Sequence, residues 1–195
     1  DMGGGKWVAT YAMRDGDFDG VIPFEVEGIL DLSGNPNSGT AATTDGSMVI
    51  FDNTKPELDI VRIASNNQDS TWAKVGDMIS INFIANELLI SQSANLNGQA
   101  MTISDLGSEK YLAQYEMTDL DTEGQLSFEI LITDSVGLES DPIITTSNSS
   151  QVIFDKTLPV LNQVNIQSNN QNNSSIAITG DNVTHTFIPD EPLLT

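Results

Sequence analysis

Alternating carboxylates closed by a glycine stand twice in this sequence. They read Asp15-Gly16-Asp17-Phe18-Asp19-Gly20 and Asp119-Leu120-Asp121-Thr122-Glu123-Gly124. Acidic side chains at every second position can wrap a hard cation in oxygen ligands, and calcium is the ion that such a set suits. The candidate ligands are Asp15, Asp17 and Asp19 in the first loop, and Asp119, Asp121 and Glu123 in the second. The competing reading is a solvated acidic turn, in which Asp and Gly satisfy turn geometry. Asp52, Asp77, Glu87 and Asp155 are further acids that could sit near domain ends, where a cation would stiffen a junction and offset carboxylate repulsion.

The first half of each loop has EF-hand spacing, but the twelfth position falls on Val26 or Ile130 instead of a glutamate. Flanking helices are not apparent either, so an EF-hand is not expected. Asn148, Asn172, Asn173 and Asn182 begin Asn-x-Ser/Thr triplets, which arise readily by chance in an Asn- and Ser-rich chain. Lys74, Lys110 and Lys156 could in principle join Asn or Asp in an isopeptide bond, but nothing marks a Lys-Asn-Glu set. The single histidine, His185, aligns with Ser80 or Ile81 across an internal repeat, so the repeated unit does not need it. One histidine also leaves little basis for a Ser-His-Asp triad or a multi-histidine zinc site. Paired carboxylates could serve glycoside hydrolysis, but here the acids recur with the scaffold, which favours a structural role. No catalytic residue is assigned, and an enzyme is not expected.

The elements that must position these residues are organised by that repeat. Residues 49–68 and 152–171 are identical at thirteen of 20 positions, at a shift of 103. Ala73, Gly76, Asp77, Phe83, Glu87 and Leu89 match Ala177, Gly180, Asp181, Phe187, Glu191 and Leu193 at a shift of 104. Tyr11, Met13, Asp15, Asp17, Gly20, Phe24 and Glu25 match Tyr115, Met117, Asp119, Asp121, Gly124, Phe128 and Glu129 at the same shift, and Asp31 matches Asp134 at 103. The stretches at Asp52-Asn53-Thr54-Lys55-Pro56 and Asp155-Lys156-Thr157-Leu158-Pro159 have linker character. The expected division is a back half-repeat over 1–52, a complete repeat over 53–155 and a front half-repeat over 156–195.

Within the complete unit the apolar residues alternate in short runs. Leu58 and Ile60 oppose Val61 and Ile63; Ile79, Ile81 and Phe83 share a face. Met101 with Ile103, Tyr111 to Met117, Leu126 to Ile132, and Val152 with Phe154 follow period two. Such runs, split by Gly, Asn, Asp and Ser, are strand signals. About seven strands in about 100 residues predict an all-β fold of tandem immunoglobulin-like antiparallel β-sandwich repeats. Trp7 and Trp72 are expected to pack or cap ends, and Tyr11 and Tyr115 to face cores.

Leu, Ile, Val and Phe total 53 of 195 residues, enough for a packed core. The 28 acids against 7 bases give a net charge of -21, which repels phosphate backbones and anionic membrane surfaces. Nucleic acid and direct membrane insertion are therefore not expected, and no apolar run is long enough to span a bilayer. Without cysteine there is no disulfide framework or thiolate site. The opening Asp-Met-Gly-Gly-Gly carries no visible signal peptide, which suggests a mature product, a fragment or part of something longer.

The unit resembles the bacterial immunoglobulin-like repeats of large secreted surface proteins and adhesins. The resemblance rests on Asp-x-Thr-x-Pro at Asp52, Thr54 and Pro56 and at Asp155, Thr157 and Pro159, and on Val75-Gly76-Asp77 before a strand. It rests also on the late element Asp31-Leu32-Ser33-Gly34-Asn35, which in the family commonly reads Asp-x-x-Gly-Asn. The second copy departs from it, as Asp134-Ser135-Val136-Gly137-Leu138. The resemblance implies an exported spacer or adhesive module at the cell surface, strung in tandem and often holding calcium. Its partners would be neighbouring repeats, copies of itself, or a cell-surface or glycan target. The alternatives are a carbohydrate-binding accessory module presenting an aromatic platform, and a head-to-tail filament subunit whose half-domains complete one another.

Overall fold

The computed structural model describes residues 5–193; positions 1–4, 194 and 195, which fall in the two expected half-repeats, lie outside the described residues. The described chain is all-β, with no helix among its elements. Its strands in chain order begin with β1 (Gly20–Val21), β2 (Ile50–Phe51), β3 (Leu58–Ser65), β4 (Trp72–Ala73) and β5 (Met78–Ala85). They continue with β6 (Leu89–Leu96), β7 (Gln99–Ala100), β8 (Thr102–Gly107), β9 (Lys110–Glu116), β10 (Gly124–Gln125) and β11 (Phe128–Asp134). The last are β12 (Ile153–Phe154), β13 (Leu161–Ser168) and β14 (Val183–Pro189).

A four-stranded sheet of order β3-β5-β9-β8 faces a three-stranded sheet of order β11-β6-β7. The first is antiparallel throughout: Phe83 lies opposite Val61 and Tyr111, and Ile81 opposite Ile63 and Ala113. Because side chains alternate across a strand, this register puts Val61, Ile63, Ile79, Ile81, Phe83 and Ala113 on one buried face. Ala94, Leu96, Phe128, Ile130 and Ile132 supply the second sheet's share of the same core. The rings of Phe83 and Tyr111 stack at 5.3 Å. A small sheet of order β10-β12-β4 closes one side, burying Ala73, Val152 and Phe154.

Every buried apolar side chain of this core falls between Val61 and Phe154. The expected strand faces hold there, and the structure adds strands that the alternation did not mark, of which β6 is the longest. Strand β6 carries no clean apolar alternation, since Ser91, Gln92 and Ser93 interrupt it. It forms because β11 pairs with it along its length and because Asn97-Gly98, both at positive φ, turn the chain tightly into β7.

The flanking segments reproduce parts of this pattern. Strands β13 and β14 pair with Val164 opposite Phe187 and Ile166 opposite His185, which are the registers of Val61–Phe83 and Ile63–Ile81 at the repeat shifts. Strands β1 and β2 pair Gly20 with Phe51, as β10 and β12 pair Gly124 with Phe154. Most of their apolar side chains are exposed, among them Trp7 at 75%, Ile166 at 69%, Tyr11 at 61% and Phe187 at 51%. Tyr11 therefore differs from its expected core placement. Tyr115 packs against the core beside β5, whereas among the described residues no counterpart of that sheet lies against Tyr11.

Candidate junction site

Three carboxylates converge where the linker enters the complete sandwich. Oxygens of Asp52, Glu87 and Asp134 all lie within 4.8 Å of one another. Each arrives by a different local device. Asp52 directly follows β2 and turns the linker by accepting the Thr54 amide at 3.1 Å. Glu87 sits in the short connection from β5 to β6. That connection is latched to the linker reciprocally: the Glu57 amide donates to Asn86 Oδ1 at 3.0 Å, and the Asn86 amide to the Glu57 carbonyl at 3.1 Å.

Asp134 ends β11, where a register shift after Thr133 sets it opposite Leu89. Its Oδ1 accepts the amides of Val136, Gly137 and Leu138 at 2.9, 2.8 and 2.9 Å. The turn closes through Gly137 at φ +95, a conformation that a side chain would strain. Asp134 is fully buried, yet its Oδ2 has no hydrogen-bond partner. An unpaired buried polar atom is costly. The earlier copy of this turn shows what is missing. There the Asn35 side chain donates to Asp31 Oδ2 at 2.9 Å, while Oδ1 takes the amides of Ser33 and Asn35. In the second copy the corresponding position is Leu138, whose side chain has no donor to offer.

The electrostatics follow. Burial, then the charges of Asp134 and Asp52, push the Glu87 carboxyl above its ordinary pKa. The two ion pairs among the described residues, Lys55–Asp141 and Lys74–Asp77, both lie outside the cluster. Two members of the cluster recur at the next junction. Asp155 accepts the Thr157 amide at 2.9 Å, and the Asp190–Val160 pair repeats the Asn86–Glu57 latch. Glu191, the counterpart of Glu87, has a buried Oε1 without a partner. Burial and the charges of Asp155, Asp190 and Glu123 raise its pKa.

The two acidic loops are built differently from a carboxylate cage. Asp17 accepts the Arg14 amide at 2.8 Å and the Tyr11 hydroxyl at 3.0 Å. Asp121 does the same with the Thr118 amide at 2.7 Å and the Tyr115 hydroxyl at 3.1 Å. Asp19 accepts the Asn53 amide and the Thr54 hydroxyl; Glu123 accepts the Lys156 amide and the Thr157 hydroxyl. Asp15 and Asp119 lie exposed in the same turns. The Lys156 ammonium donates to the carbonyls of Asp119 and Asp121, each at 2.8 Å. The structure thus brings each loop against the following linker, as a clasp, and gathers no three of these carboxylates together.

Among the remaining candidates, Trp72 is 45% exposed and borders a cleft shared with Asp155 and Glu191. His185 lies on β14 with its ring centroid 6.3 Å from that of Phe187. The Lys74 ammonium pairs with Asp77 at 2.6 Å. Asn148, Asn172, Asn173 and Asn182 are all exposed. No family model, curated protein or solved structure matches the chain.

Proposed function

We propose that this chain is a structural segment of a long extracellular repeat protein, serving as stalk, filament or cell-surface adhesin. The observation that carries the reading is the recurrence of sequence and strand register together. Val164–Phe187 copies Val61–Phe83, and Gly20–Phe51 copies Gly124–Phe154, at the shifts read from the sequence. A unit that buries its own core and is clasped to the next linker is what a spacer needs, since reach then grows with unit number. The high negative charge favours solubility and extension. The partners on this reading are neighbouring repeats, copies of the chain itself, or a surface or glycan target, and the reading includes no catalytic step.

Small-angle scattering of the chain, alone and as two tandem copies, tests the spacer. The spacer reading expects the maximum dimension to rise by a nearly constant increment, and compaction into a globule would refute it. A second reading is favoured by the exposed apolar faces around Tyr11 and Phe187: half-repeats of different copies complete one another, giving head-to-tail polymers. Concentration-dependent assembly in sedimentation velocity separates it from the simple spacer.

A further inference from the structure

We propose that residues 6–13 of one copy of the chain add as a strand to the free edge of β14 in a second copy, in the register that β9 takes on β5. The inference rests on the reading in which half-repeats of different copies complete one another, and it fixes the strand, the edge and the register. Lys6, Ala9, Tyr11 and Met13 match Lys110, Ala113, Tyr115 and Met117 at a shift of 104, and Trp7 stands for Tyr111. In the complete repeat that stretch holds β9, which pairs along its length with β5. Residues 6–13 pair with no strand among the described residues, and β14, the counterpart of β5, pairs with β13 alone. The chain therefore carries a strand without its edge and an edge without its strand. The Tyr11–Asp17 bond copies Tyr115–Asp121, so the turn that follows the unpaired stretch is already built.

The side chains fit as the backbone does. Ala9, Tyr11, Met13, Ile22 and Phe24 line an open groove of about 740 Å³. Their counterparts Ala113, Tyr115, Met117, Leu126 and Phe128 belong to the core of the complete repeat, together with Val61, Ile63, Ile79, Ile81 and Phe83 of β3 and β5. The matching apolar side chains of the last half-repeat, Val164, Ile166, Val183 and Phe187, stand exposed. In the copied register Phe187 lies opposite Trp7, as Phe83 lies opposite Tyr111, on which it stacks at 5.3 Å. Val183 then faces Tyr11, and His185, in the place of Ile81, faces Ala9. Main-chain bonds along such an added strand give affinity, and alternate side chains in the groove give specificity. A second copy is the occupant because β13 and β14 form no sheet with residues 6–24 of their own chain. Each pairing leaves one groove and one face unused, so the contact is heterologous and propagates. It supplies counterparts of β3, β5 and β9 but not of β6 to β8, and should be weaker than the fold of the complete repeat.

The test is sedimentation velocity of the 195-residue chain combined with cysteine cross-linking. The chain has no cysteine, so introduced ones report alone. Thr10 and Thr184 are the counterparts of Gln114 and Ser80, whose side chains meet at 3.4 Å on the outer face of the sheet. A Thr10→Cys chain mixed with a Thr184→Cys chain should form the mixed disulfide on oxidation, identified by peptide mapping. A Thr10→Cys chain mixed with an Ile188→Cys chain should not, because that position lies about 13 Å further along the strand. Trp7→Ala and Phe187→Ala, both at exposed positions, should each weaken association about tenfold or more while leaving the urea midpoint of the complete repeat unchanged. Association that survives both variants, or that cross-links equally well to Ile188→Cys, would overturn this strand pairing and leave the head-to-tail reading standing. A chain that stays monomeric up to about 1 mM would overturn both.

Discussion

Removing the carboxylate of Asp77 should cost far more than removing the lysine that pairs with it. Asp77 is 6% exposed and closes the turn before β5. Its Oδ2 accepts the Lys74 amide at 2.9 Å and the Asn67 side-chain amide at 2.8 Å. Its Oδ1 accepts the Lys74 ammonium at 2.6 Å. The lysine side chain is 68% exposed, so the ion pair is screened by water and should contribute no more than about 1 kcal/mol. The two amides are different. Asp77→Ala orphans both donors in a part-buried turn, at about 1–3 kcal/mol each before relaxation. Since water reaches part of the turn, the expected total is about 2–4 kcal/mol. In urea, where small domains lose about 1–3 kcal/mol per molar, the midpoint should fall by about 1–2 M. Lys74→Ala should shift it much less. Far-UV circular dichroism of both variants provides the assay. Equal losses for Asp77→Ala and Lys74→Ala would refute the reasoning, by showing that the charge pair and not the amide cap holds the turn.

The same residue gives a pH signature. Burial alone would raise the Asp77 pKa, but the bonds from the Lys74 side chain, the Lys74 amide and Asn67 outweigh it and hold it below the ordinary value. A lowered folded-state pKa means that its stabilisation is present above the unfolded-state pKa and is lost as pH falls through the folded one. The gap between wild type and Asp77→Ala should therefore be constant near neutrality and shrink in acid, which urea midpoints across pH will show. Phe83→Ala, at a 1% exposed position stacked on Tyr111, should cost about 3–5 kcal/mol. Phe187→Ala, at the matching but half-exposed position, should cost under about 1 kcal/mol in the same denaturation assay. Lys156→Ala removes the ammonium from the carbonyls of Asp119 and Asp121 and should speed proteolysis of the clasp, read as cleavage within 118–124 or 155–159 by mass spectrometry. On the spacer reading Trp72→Ala leaves a glycan-array profile unchanged; loss of a specific signal would favour a carbohydrate-binding module.

The strands whose apolar residues alternate were readable because period two has one physical source, burial on a single face. Ile79-Ile81-Phe83 and Phe128-Ile130-Ile132 carry that signal without interruption. Strand β6 was not readable, because its pairing with β11 and the Asn97-Gly98 turn fix it more than its own side chains do. The candidate site was legible in part. Asp52 and Glu87 were expected near a domain end, but nothing local to Asp134 announces that a shifted register will carry it to them. Its one signal was the departure from Asp-x-x-Gly-Asn at Leu138, which becomes meaningful only once Asn35 is seen bonding Asp31. The acidic loops were ambiguous for a chemical reason. A carboxylate that caps an amide and one that binds a cation need the same residues at the same spacing, and what the structure adds is the partners at Thr54, Thr157 and Lys156.

On the proposed spacer reading these features make one mechanical unit with a clasp on each following linker. Glu123 holds the Lys156 amide and the Thr157 hydroxyl, and Asp19 holds the corresponding linker at Asn53 and Thr54. A pulling force along the chain would therefore act across a sandwich whose buried core runs from Val61 to Phe154.

Single-molecule stretching of the 195-residue chain between its termini tests the central claim most directly. The account predicts one dominant unfolding event, releasing the roughly 100 residues of the complete repeat. At about 3.3–3.6 Å per residue, the contour length should grow by about 330–360 Å, less the end-to-end distance of the folded unit. A featureless extension, or one event releasing nearly the whole chain, would contradict the division into a self-contained repeat between two partial ones.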